Sequence, residues 1–402
     1  MRRARVCAAG LLALCGCAAA ADKHYDVGAS DTEIRIGNIA PYSGIAQDYG
    51  AVARAEAAYF QMINDRGGIL GRKIDFISRD DGSDPGMAPA LARRLVEEDR
   101  VLVLFSTFGT DANLAIREYA NARKVPQLFV ETSSAVFDDP VHFPFTMGFY
   151  ATFRTEGLAY AGYLLQTHPH ARIAVLHEDS TAGAEYFQGL RDGLGSKASA
   201  MIVLEAIYHA AAGDVDAQVD ALKQTGADVF VNFAIGAAAT QAIRRAYDID
   251  WHPLQFIPNA SLSTAAFLEP AGLDKAAGII SNARSKGWLH AAARRDADVR
   301  EFLDWMAKYN PRAALRDQLN VAGYERAEAL VAVLKQCGDD LTRNNVMAQA
   351  ARLDLEIGML RSGIRLKTSA TDYQPIKQLF LIRFDGRDWT SIGQIAEGSG
   401  PR

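Results

Sequence analysis

The residues best placed to do chemistry are hydroxyls and glycines at the ends of strand-like runs. Gly109-Thr110 follows the run 101–107, and Glu131-Thr132-Ser133 closes the region around 127–132. Such loops can offer backbone N–H groups and hydroxyls to a carboxylate or another oxygen, which is binding chemistry. In open parallel sheets ligands settle at the carboxyl ends of strands. The loops in that position are 41–49, 108–110, 131–133, 179–183, 233–236 and 259–261. They carry Tyr49, Phe108, Thr181, Ala182, Phe233 and Asn259, with Tyr150 close by. Of Phe108, Phe129, Phe149, Tyr150 and Phe233, two or three are expected to line a cleft and the rest to pack inward. A Ser or Thr in such a loop can equally be a helix cap, and Tyr49 could simply cover the helix that starts at Ala51.

Constellations for catalysis are missing. The chain has no GxxxxGK[ST], no GxGxxG after a strand, no HExxH and no GxSxG. GILGRK at 68–73 lacks the spacing of a phosphate loop. Asp80, Asp81 and Asp84 lack the glycine and late glutamate of a calcium loop, so a turn and helix cap is expected there. His168, His170 and His177 are scattered, and Cys337 sits at a helix end beside Gly338. No catalytic residue, metal site or cofactor is expected.

The elements that must position these loops alternate. Strand-like runs at 33–40, 73–80, 101–107 and 127–132 are separated by helical periods at 51–65, 85–98 and 110–123. A second series follows a helix at 151–165, with strands at 172–179, 201–208, 228–234, 254–260 and 278–283. Its helices fall at 183–195, 215–225 and 236–248. Strand, helix, strand in this order requires crossover connections and predicts parallel sheets covered on both faces. Helices at 299–309, 319–336 and from Thr342, then strands near 360–366 and 376–384, complete the chain.

A chain of 402 residues is long enough for two cores. A net charge of −5 gives no broad field for nucleic acid or an anionic bilayer, so neither is expected as a partner. Arg2, Arg3 and Arg5 precede a short apolar run from Val6 to Ala21, the pattern of a signal peptide. Leu14-Cys15-Gly16-Cys17 is similar to a lipobox, with Cys17 as the lipidated residue, and cleavage after 19–21 is the alternative. With Cys7, Cys15 and Cys17 in the leader, Cys337 is the only other thiol and no internal disulfide is expected. Residues 22–31 are expected to serve as a tether, with no further membrane span.

EIRIGNIAPYSGIAQDYG (33–50) and INDRGGILGRKIDFISRDDGSDP (63–85) carry a resemblance that runs on through 105–134, 143–157, 172–195 and 335–346. The chain resembles the branched-chain amino-acid-type, Leu/Ile/Val-binding-like substrate-binding proteins of ABC transporters. That resemblance implies an α/β, type I periplasmic binding protein fold. Two flavodoxin-like lobes joined by three crossovers would close on a ligand by a hinge. The implied N-terminal lobe is 33–149 plus 282–360, and the implied C-terminal lobe is 150–281 plus 361–402. It also implies a periplasmic location, a small-molecule ligand and an ABC-type permease as partner.

Carried over by position, Tyr49 matches a cleft aromatic, and Thr110, Glu131 and Ser133 match loops that hold a ligand carboxylate. Two departures bear on the ligand. Amino-acid relatives place an acid in the loop that here reads Pro258-Asn259-Ala260-Ser261, and an aromatic where this chain has Ala182. Glu131 would also repel a carboxylate unless protonated. The expected ligand is therefore apolar or aromatic, with Asn259, Glu131, Thr132 and hydroxyls orienting it, or a larger hydrophobic molecule such as a lipid or sterol. A ligand-sensing receptor domain is the alternative role.

Overall fold

The computed structural model describes residues 23–397, with side chains described to residue 393. The leader and Cys17 lie outside the described residues.

Two sheets organise the chain. The first holds Lys73–Asp80, Glu33–Ala40, Val103–Phe105 and Gln127–Leu128 in that order, all parallel. The second runs from Ile202–Tyr208 through Ile173–Glu178, Val229–Phe233, Leu254–Phe256 and Ile280–Ala283 in parallel. It then continues antiparallel through Gln378–Phe384 and Trp389–Glu397. Central strands are buried along their whole length, as parallel sheets covered on both faces require.

The helices follow from periodicity. Gly50–Asp65 buries Val52, Ala55, Glu56, Tyr59, Phe60, Met62 and Ile63, one face of a 3.6-residue repeat. Leu319–Cys337 is buried on nearly every side, and that burial takes in Glu325 and Arg326 along with its apolar residues. It packs with Gly50–Asp65 and Ala297–Tyr309 over the first sheet. Phe153–Thr167 and Thr181–Leu194 cover one face of the second sheet.

Several expectations shift. The strand expected over 127–132 is hydrogen-bonded as a strand only at Gln127–Leu128, because Phe129 has φ +54° and turns the chain. The strand Trp389–Glu397 was not read from the sequence, although the Asp385-Gly386 turn before it is a hairpin signal. Residues 23–31 are not a free tether. His24–Tyr25 pairs in parallel with Asp340–Leu341, and the Tyr25 hydroxyl accepts from Arg72 at 2.6 Å and donates to Asp31 at 2.8 Å.

Strands up to Gln127–Leu128 belong to the first sheet, those from Ile173–Glu178 to Ile280–Ala283 to the second, and Gln378–Phe384 rejoins the second. A change of lobe at 281/282 would cut Ile280–Ala283, which pairs with Phe380–Arg383 in the second sheet. Residues after 361 stay at first with the first lobe: Leu366–Lys367 pairs with Asp354–Leu355, and the Tyr373 hydroxyl donates to the Pro144 carbonyl at 3.3 Å. No helix among the described residues is long and apolar enough to cross a membrane.

Candidate functional site

The strand ends of both sheets face one cavity of about 720 Å³. That volume lies in the range of sites for drug-sized ligands.

From the first lobe, Gly109 adopts φ +88°, open to glycine, and sets Thr110 at the start of the helix Thr110–Ala122. The Thr110 and Thr132 hydroxyls share a hydrogen bond at 2.7 Å. Phe108, Gly109, Thr110, Glu131, Thr132 and Ser133 all line the cavity. Tyr49 crosses the gap. Its hydroxyl donates to the Ala260 carbonyl of the second lobe at 3.1 Å, and its ring lies 5.2 Å from Phe108 and 5.6 Å from Phe267.

Beneath these loops lies a charged floor. Arg326, fully buried, pairs with Glu131 and with Glu56 at 3.3 Å, and donates to the Ser106 hydroxyl at 2.9 Å. Burial pushes the Glu56 carboxyl up to about 8, against the pull of Arg326. Two guanidinium groups lie over the Tyr150 ring, Arg284 at 3.5 Å and Arg326 at 4.6 Å from its centre. Arg284 in turn donates to Glu325 at 3.3 Å and to the Asn259 side-chain oxygen at 3.0 Å.

The second lobe contributes Ala182, Tyr208, Asn259 and Ala260 to the wall. Ser180 caps the helix that begins at Thr181 by accepting from the Gly183 N–H at 3.2 Å, which presents Ala182 to the cavity. The Tyr208 hydroxyl accepts from the Ile235 N–H at 3.1 Å. Behind the 258–261 loop, Glu156 accepts from the Asn259 N–H at 2.9 Å and from Asn282 at 2.6 Å. Burial holds its carboxyl up at about 7, so the acid nearest this loop is turned inward and occupied.

Among the residues named from sequence, Tyr49, Phe108, Gly109, Thr110, Glu131, Thr132, Ser133, Tyr150, Ala182 and Asn259 converge on the cavity wall. Phe233 does not reach it. It is fully buried between Tyr186 at 4.9 Å and Tyr160 at 5.9 Å, because its side chain falls on the helix-covered face of its strand. Thr181 also stays off the wall, and its hydroxyl lies 3.4 Å from Asp111 of the other lobe. Glu131 is not an isolated acid, since Arg326 answers its charge. The Asn259 amide is spent on Arg284 and on the Asn282 carbonyl, at 2.8 Å, rather than free to orient a ligand.

Sequence reasoning missed Tyr208 and Glu178, although both sit at strand ends where the same rule applies. It also missed Arg284, Trp288, Arg326, Arg361 and Trp389. Arg326 lies in a helix that also carries Glu325, Glu328 and Lys335, so nothing local singled it out. The others meet only through long-range folding.

Two α/β lobes with facing strand ends and a cavity between them define a two-lobed binding protein. The model of the periplasmic binding protein family matches residues 33–388, and the chain belongs to that family. An amino acid binding protein of Pseudomonas aeruginosa is 26% identical over 202 residues, 49% of this chain and 52% of that protein. The match therefore spans about half the length of that relative. A possible leucine/isoleucine/valine-binding protein from Rhodopirellula baltica superposes with TM-score 0.79 at 19% identity, covering 90% of this chain and 96% of that one. A solute binding protein of an ABC transporter from R. palustris, in complex with benzoate, superposes with TM-score 0.73 at 20% identity, covering 90% and 96%. The fold is that of type I periplasmic binding proteins, and the family is one of solute-binding proteins rather than enzymes.

Proposed function

We propose that this chain is exported, captures a small apolar or aromatic solute between its lobes, and delivers it to an ABC-type membrane permease. The observation that carries the reading is the interlobe cavity of about 720 Å³, walled by Tyr49, Phe108, Tyr150 and Tyr208 with a few hydroxyls among them. Ligand pockets share this make-up of apolar walls and sparse orienting groups. The benzoate complex of the R. palustris neighbour supports an aromatic ligand, and the family supports a periplasmic location. The leader supports export, with Cys17 as a lipid anchor.

A free α-amino acid is disfavoured because the 258–261 loop offers a carbonyl already taken by Tyr49 and no free carboxylate. The cavity volume also favours, as a second reading, a larger hydrophobic molecule. Contacts to both lobes would favour the closed form over the open one, and a permease can read that difference.

A thermal-shift screen against amino acids, aromatic acids and apolar alcohols tests this, since a ligand of the native state must raise Tm. Aromatic acids or apolar alcohols should stabilise the protein. Stabilisation by leucine-like amino acids alone would overturn the ligand class.

A further inference from the structure

Three cations stand in the cavity wall, and two are already answered by carboxylates. Arg284 pairs with Glu325 at 3.3 Å, and Lys286 pairs with Asp298 at 2.6 Å and Asp296 at 3.0 Å. Arg361 has no carboxylate at ion-pair distance among the described residues. Its position is nonetheless fixed. The guanidinium lies 4.0 Å from the centre of the Phe380 ring, Nη1 donates to the Ser391 hydroxyl at 2.9 Å, and the backbone N–H donates to the Arg284 carbonyl at 2.9 Å. A half-buried guanidinium held in place without a counter-ion is a preorganised anion receptor.

The surroundings define what the anion is attached to. Through its backbone bond to Arg284, Arg361 lies beside the segment that leaves the second sheet after Ala283, and the same cavity is lined by Trp288, Leu319, Phe380 and Trp389. Both indole N–H groups are satisfied by backbone carbonyls, Trp288 by Leu315 at 2.9 Å and Trp389 by Leu262 at 3.1 Å. Their rings therefore have only apolar surface to offer a ligand. The acid on this wall, Asp388, is held by His290 at 3.2 Å and by the Trp389 N–H at 2.8 Å. At the opposite strand ends, the Thr110 and Thr132 hydroxyls bond each other and Glu131 sits beside them, a poorer place for a second carboxylate.

We propose that Arg361 reads a carboxylate on the bound solute, so that the ligand is an apolar acid with its anionic group at the guanidinium and its body against Phe380, Trp288 and Trp389. The inference rests on the solute-binding reading and makes it specific.

Isothermal titration of the purified protein with benzoate and octanoate, each beside its neutral amide, tests it. At least one acid should bind more tightly than its amide. Arg361→Gln should weaken that acid by about 10- to 100-fold, the worth of a charge-assisted hydrogen bond, and leave the amide within about two-fold. Arg361→Lys, which keeps the charge but loses the fork, should fall between. An acid bound no more tightly than its amide, or equally by wild type and both variants, overturns the role of Arg361 while the solute-binding reading stands. If neither these probes nor any compound of the thermal-shift panel binds the wild type, the solute-binding reading fails as well. Should Arg361→Gln not fold, acid affinity in Arg361→Lys at the wild-type level overturns the inference, and a selective loss supports it.

Discussion

Replacing Glu56 and Glu131 separately and together should give strongly unequal costs, although both carboxylates face Arg326. Burial pushes the Glu56 carboxyl up to about 8, so at pH 7 it mostly holds its proton. Glu56→Gln imitates that neutral form without having to take up a proton on folding, so at pH 7 it should cost nothing and raise stability if anything. Glu131→Gln removes the carboxylate that answers Arg326. Glu56 can then ionise in its place, at a cost set by moving it from about 8 to the working pH, or about 1–2 kcal/mol. The double variant leaves a fully buried guanidinium with no acid, which costs about 3–5 kcal/mol. The double loss should thus exceed the two single losses together by about 2 kcal/mol.

Urea denaturation at pH 7 measures all three. The sign with pH is also fixed. The Glu56 carboxyl is raised by folding, so its contribution is complete below its unfolded value and is lost as pH rises through about 8. Wild type should therefore lose more stability than Glu56→Gln between pH 6 and pH 9. Equal costs for the two single variants at pH 7 would refute the assignment of the proton to Glu56.

Other outcomes follow from the same geometry. Tyr49→Ala removes the hydroxyl bond to Ala260 and the ring contact with Phe267 across the gap, and should weaken binding of the best thermal-shift ligand by about 10-fold or more with little change in secondary structure by circular dichroism. Ala260→Glu puts a carboxylate in the loop that lacks a free one, and should let leucine raise Tm where wild type shows no shift. Gly189→Ala would place a Cβ 2.2 Å from the Arg154 carbonyl, so the helices Phe153–Thr167 and Thr181–Leu194 must part, and thermal unfolding should report a loss of about 3 kcal/mol.

Periodicity carried the architecture because parallel sheets leave strong local marks. Glu33–Ala40 and Lys73–Asp80 each alternate isoleucine or phenylalanine with polar residues between turns, and their bounds agree with the ranges read from sequence. The strand over 127–132 was overread because Phe129 looks like a strand residue and only its backbone angle ends the ladder. Trp389–Glu397 was missed since its polar alternation is typical of a half-exposed antiparallel strand after a short turn.

At the candidate site, strand-end placement was visible for Thr110, Thr132 and Ser133. Which side chains turn inward was not, as Phe233 shows. The partners Arg284, Arg326 and Arg361 come from segments far along the chain from the loops they serve. No local spacing could have joined Glu131 to Arg326.

The central claim is that the guest sits between the lobes, and blocking that space tests it most directly. Ala182 is small and lines the cavity, so Ala182→Trp should fill the cleft from the second-lobe side. The ligand-induced rise in Tm should then vanish for every compound that stabilises wild type, while the unliganded protein melts within a few degrees of it. A ligand-induced rise in Ala182→Trp equal to that of wild type would contradict the account.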